Sequence, residues 1–149
     1  MGRLSLLRYH PILLKRFLLL ALPLLVLTMG LFQFALEHLG RAPNPALLSP
    51  ATAPHLPAWV VLGTWLLESI GLAALYLLLH GGGGGRMLNG LLTGWIAWVF
   101  RGPLLVVTVV TLGGLPAGPW WSLALGWWVL YSICGLLLGV TAAASGLQT

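Results

Sequence analysis

The sequence predicts an all-α integral membrane protein with four transmembrane helices, and three observations carry that reading. Only 6% of the 149 residues are charged and 59% are hydrophobic, whereas a soluble domain is roughly 25% charged. Four apolar stretches each come close to the ~20 residues that cross ~30 Å of hydrocarbon. Between them lie segments rich in proline and glycine, the residues that helix interiors avoid. Leucine dominates over β-branched residues and the runs are too long for strands, so the period is helical. At this length the chain is one domain, 1–149.

The first sixteen residues carry Arg3, Arg8, Lys15 and Arg16, four of the seven basic side chains, interleaved with Leu4, Leu6, Leu7 and Ile12. Two readings fit: an interfacial segment lying on anionic lipid, or an extended basic lead into the first span. Pro11 is expected to interrupt any single helix through it. The first span, 17–36, is longer than the ~7–15 residues of a signal-peptide core and lacks a small-x-small cleavage site, so it is expected to be retained. Position 6 is Leu6, which breaks the myristoylation pattern that Gly2 would begin.

Residues 37–57 contain Pro43, Pro45, Pro50, Pro54 and Pro57, half of the ten prolines, and form a Pro-rich outer loop. The second span, 58–79, runs into Gly81–Gly85, an unbroken pentaglycine that reads as a flexible turn. No strand precedes it and no phosphate-loop spacing follows, so nucleotide binding is not indicated. The third span covers 87–112, with a kink expected at Gly102 and Pro103. A short hairpin, Gly113–Pro119, leads to the fourth span, 120–144.

Orientation follows from the basic residues. With both termini cytoplasmic, that side holds Arg3, Arg8, Lys15, Arg16 and Arg86, and the other holds Arg41 alone; the positive-inside rule selects this topology. Trp59, Trp120 and Trp121 then fall at the outer interface, where an apolar ring with a polar N–H is suited. The charge of +5 is a membrane-flanking cluster, and no basic groove or motif for nucleic acid accompanies it.

Two charges interrupt the spans. Glu68 lies twelve residues from His80, about 18 Å along the helix, and Arg101 fourteen residues from Met87, about 21 Å. Antiparallel neighbours place these opposite charges at nearly equal depth. An unpaired charge there costs at least ~2.5–3.5 kcal/mol. The expectation is a direct or water-mediated pair; the alternative is a protonated Glu68 with Arg101 facing another polar group. Tyr131 and Ser132 of the fourth span are candidate polar neighbours, and Trp98, on the Arg101 face of its helix, is a candidate for stacking on the guanidinium.

Gly90 and Gly94 form one GxxxG pattern and Gly135 and Gly139 another, at comparable depth. Such ridges let helix backbones approach closely, either within the chain or in a homodimer. His10 and His80 belong to one side and His38 and His55 to the other. Only the latter two could share a site, and their spacing specifies no metal; neither a metal nor a cofactor is predicted. Cys134 is the single cysteine, which excludes thiol oxidoreductases that work through a cysteine pair.

There is no aspartate and no Ser-His-acid pattern, so the reading leans away from an enzyme. The leading expectation is a small multi-pass, non-enzymatic accessory, assembly or scaffold subunit of a larger membrane complex. Its partners would be the bilayer, other membrane subunits or a second copy, with no nucleic acid. The alternative is an oligomeric small transporter or channel using Glu68 and Arg101.

Overall fold

The computed structural model describes residues 10–38, 57–82, 84–114 and 116–147. Among them every regular element is helical: α1 (Pro11–His38), α2 (Ala58–His80), α3 (Arg86–Val99), α4 (Leu105–Gly113) and α5 (Ala117–Ala144). A π-helical turn, Phe100–Leu104, joins α3 to α4. These three pieces run continuously as Arg86–Gly113, so the described residues form four helical rods, each long and apolar enough to cross a membrane. Residues 1–9 and 39–56, which hold most of the basic lead and of the Pro-rich loop, lie outside the described residues.

Side-chain contacts set the order of the rods. Phe17 stacks on Tyr76 with ring centroids 5.6 Å apart, and Gly30 lies under the Trp65 indole, so α1 and α2 are antiparallel. Tyr76 donates to the Arg86 carbonyl at 3.4 Å, while Glu68 faces Arg101; α2 and the third rod are antiparallel too. Among the described elements α3 and α5 share the most extensive contact, and α5 also returns against α1. The core between them is built from Phe17, Leu25, Met29, Tyr76, Cys134 and Leu138, all fully or almost fully buried.

Helix ends and breaks follow backbone chemistry. α1 starts at Pro11, with His10 outside the helix; a proline at the first helical position lacks an N–H that would have no partner there anyway. α1 therefore reaches six residues further back than the apolar run suggests, taking in Lys15 and Arg16. At Pro103 the missing N–H and the ring are accommodated by widening one turn to π geometry. The flanking backbone stays helical, with φ −57° and ψ −42° at Val99 and φ −63° and ψ −45° at Leu105. α5 begins at Ala117, with Pro119 in its first turn. It ends in a Schellman cap: Leu147 N–H bonds the Ala142 carbonyl at 3.0 Å and Gly146 N–H the Ala143 carbonyl at 3.2 Å. Gly146 takes φ +70°, and Leu147 is fully buried beneath it, the apolar contact that completes such a cap.

The outside of the bundle is as apolar as the inside. Leu19, Leu31, Phe34, Leu67, Phe100 and Leu125 are all exposed, a surface that water would not favour.

Candidate functional site

Glu68 sits near the middle of α2, and Arg101 occupies the π-helical turn. Antiparallel packing of the two rods brings Arg101 Nη1 to 3.8 Å from Glu68 Oε2. A charge-assisted hydrogen bond spans about 2.7–2.9 Å, so the attraction is Coulombic, without a shared proton. The two partners differ in setting: the Glu68 side chain is 20% exposed and that of Arg101 50%. Arg101 thus spans from the bundle interior to its flank. Its guanidinium carbon lies 5.4 Å from the centre of the Trp127 ring, within range of a cation–π attraction.

Two cavities meet at the pair. On the inner side, Gln33, Trp65, Glu68, Arg101, Trp127 and Tyr131 are among the residues enclosing about 30 Å³, enough for one or two water molecules among polar partners. On the flank, Glu68, Gly71, Leu75, Phe100, Arg101 and Tyr131 line an open, largely apolar groove of about 350 Å³ between α2 and the third rod. Tyr131, almost fully buried, borders both.

The other residues singled out from sequence have distinct places. Ser132, one position after Tyr131, turns to another face of α5; it accepts from Trp95 Nε1 at 3.2 Å and donates to the Trp128 carbonyl at 2.8 Å. Trp98 points its indole N–H at the Ala124 carbonyl, 2.8 Å away. That indole lies over Gly102, where a β-carbon would come within 2.7 Å of the ring nitrogen. The two GxxxG ridges meet each other across α3 and α5. A β-carbon on Gly90 would strike the Gly135 carbonyl, one on Gly135 the Gly90 carbonyl, and one on Gly94 the Tyr131 carbonyl. At Gly139 it would come within 3.0 Å of Met87 Cα and the Arg86 carbonyl. Trp59, Trp120 and Trp121 lie in the first turns of α2 and α5, at one end of the bundle, with Trp59 and Trp121 exposed.

Sequence reasoning missed two features. Trp127 lies one helical turn before Tyr131 and so shares its face; that spacing alone would have placed it beside the pair. At the opposite end of the bundle, Tyr76, His80, Asn89 and Thr93 form a buried polar cluster. The His80 ring stacks on Tyr76 at 5.4 Å, Asn89 Nδ2 lies 3.5 Å from His80 Nδ1, and Thr93 donates to the Asn89 carbonyl at 2.7 Å. An Asn and a Tyr set in apolar runs were the signal. Among the described residues no three His, Cys, Asp or Glu side chains gather as a metal site requires. His55 and the His38 side chain lie outside them.

No protein family, curated protein or solved structure matches this chain, so its function is argued from these residues alone.

Proposed function

We propose that this chain is a multi-pass integral membrane protein with both termini cytoplasmic, serving as a non-enzymatic accessory, assembly or scaffold subunit of a larger membrane complex. The apolar exterior supports insertion: it suits lipid tails and would be costly in water. The basic residues support the orientation. The Arg101 flank carries the accessory reading. A guanidinium half exposed on the side of the bundle, at mid-span, faces hydrocarbon unless something covers it, and such groups generally face protein or a water-filled cavity. The apolar groove beside it would receive a partner's helix, with Leu75 and Phe100 as contacts and Arg101 as the polar register point.

Purification of the tagged full chain in mild detergent tests this. The expectation is a stoichiometric companion of different sequence, lost on Phe100→Ala while the folded chain persists. A chain that purifies only by itself, or only with its own copies, would overturn the proposal.

A second reading has its own support. The small polar cavity beside Glu68, together with the widened turn that carries Arg101, suits a transporter or channel, since broken helices line such sites. Proton-linked flux abolished by Glu68→Gln would select it.

A further inference from the structure

A third cavity gives the charged pair a direction. Between the C-terminal third of α1 and the first two turns of α2 runs an open cleft of about 590 Å³, bordered by Gln33, Phe34, Val60, Thr64 and Trp65. Gln33 and Trp65 also line the small polar cavity that holds Glu68 and Arg101. The cleft and the cavity therefore adjoin across Gln33 and Trp65, and lie in succession between the start of α2 and the pair. Thr64 stands one helical turn before Glu68, about 6 Å along the axis, so its hydroxyl marks a polar step on the way. The neck is shaped by Gly30, against which the Trp65 ring lies; a β-carbon there would come within 3.2 Å of the ring.

Towards the other end the interior is filled, and the groove on the flank is largely apolar and opens sideways. Beyond Glu68 and Tyr131 the interior is filled by Leu72, Tyr76, Cys134 and Leu138, each at most 3% exposed. The polar groups at that far end, His80 and Asn89, lie on the other side of this apolar plug.

We propose that the Glu68–Arg101 pair is hydrated from one side only: water and small cations reach it through the α1–α2 cleft, from the end of the bundle that carries the α1–α2 connection. This rests on the membrane-spanning reading. It also supplies what that reading leaves unsolved, a medium of high dielectric for two charges at mid-span. An intramembrane charge that touches water avoids most of the cost of one facing lipid.

Thiol reactivity tests the proposal, because the thiolate is the reactive form and a thiol facing lipid stays protonated. In a Cys134→Ala background, single cysteines replace Gln33, Thr64, Glu68 or Leu67. The last is a lipid-facing control beside Glu68, 71% exposed on the outer surface. Sealed vesicles of each orientation are treated with a membrane-impermeant cationic methanethiosulfonate; silver ion serves as a smaller probe for Glu68→Cys. Thr64→Cys and Gln33→Cys should react at least about tenfold faster from the α1–α2 connection side than from the other, and silver should block Glu68→Cys from that side alone, while Leu67→Cys stays inert.

If Thr64→Cys and Gln33→Cys are as inert as Leu67→Cys, the access route is wrong and the spanning reading stands. Equal reaction from both sides also overturns the proposal. If Leu67→Cys reacts as fast as the others, the spanning reading itself fails. Thr64→Cys and Gln33→Cys leave both charges in place, so a folding defect of Glu68→Cys does not blunt the test.

Discussion

Gly90 and Gly135 face each other so closely that each occupies the space a β-carbon on the other would need. The contact is reciprocal, backbone against backbone, so neither side has a flexible group that can yield. Alanine at either position must separate α3 from α5 along their whole interface, and overpacking of this kind costs about 1–3 kcal/mol. Gly90→Ala and Gly135→Ala should therefore each lower the thermal midpoint in detergent. Gly63→Ala and Gly71→Ala should not, because a β-carbon at either meets nothing within 4 Å. Helix propensity favours alanine at all four positions, so loss of stability at all four would mean that something other than this contact sets the effect.

The pentaglycine makes a sharper demand than flexibility at one position. Gly84 adopts φ +107°, and a β-carbon there would also come within 3.0 Å of Asn89 Oδ1. Gly85, immediately before α3, has φ −71° and ψ 137°, with open space around its α-carbon. Gly84→Ala should destabilise the α2–α3 connection by about 1–3 kcal/mol, whereas Gly85→Ala should be neutral or slightly stabilising. Denaturation of the two variants side by side checks this; equal effects would contradict it.

The Trp98 indole ties the third rod to α5 just before the widened turn. Trp98→Phe removes the donor to the Ala124 carbonyl while keeping most of the ring, and should cost about 0.5–1.5 kcal/mol. Gly102→Ala drives a methyl group against the same indole and should cost at least as much. Because both act on one ring, the double variant should be less destabilised than the sum of the two. Strict additivity would show that the indole is not the shared element.

The four rods were legible because their signals are redundant: apolar length, scarcity of charge and the punctuation by proline and glycine all agree. Their ends were less so. α1 begins at Pro11, six residues before the apolar run, since the missing N–H that disrupts a helix interior is harmless at its first residue. Pro23 lies inside α1 with no signal in the flanking residues to distinguish a tolerated proline from a break.

The candidate site was legible in its charges and not in its surroundings. The depths of Glu68 and Arg101 follow from counting residues along two antiparallel helices. Which ring lies beside Arg101 depends on the rotation of α5, which sequence spacing leaves open; Trp127 occupies that place, and Trp98 is engaged with Ala124. The polarity around Ser132 is likewise real and local, but it belongs to Trp95 on another face. The cleft behind Gln33 and Thr64 depends on how α1 crosses α2, a relationship that no motif encodes.

If the chain spans a bilayer as proposed, the opposite charges of Glu68 and Arg101, 3.8 Å apart, are expected to hold α2 against the third rod, and a charge-swap series in membranes tests this most directly. Glu68→Gln, Arg101→Gln and the double exchange Glu68→Arg/Arg101→Glu are scored for folded protein. Each single change leaves the remaining charge without its counter-charge between the two rods and should reduce folded chain, while the exchange should recover most of it. Single variants that accumulate normally, or an exchange that recovers nothing, would contradict the account.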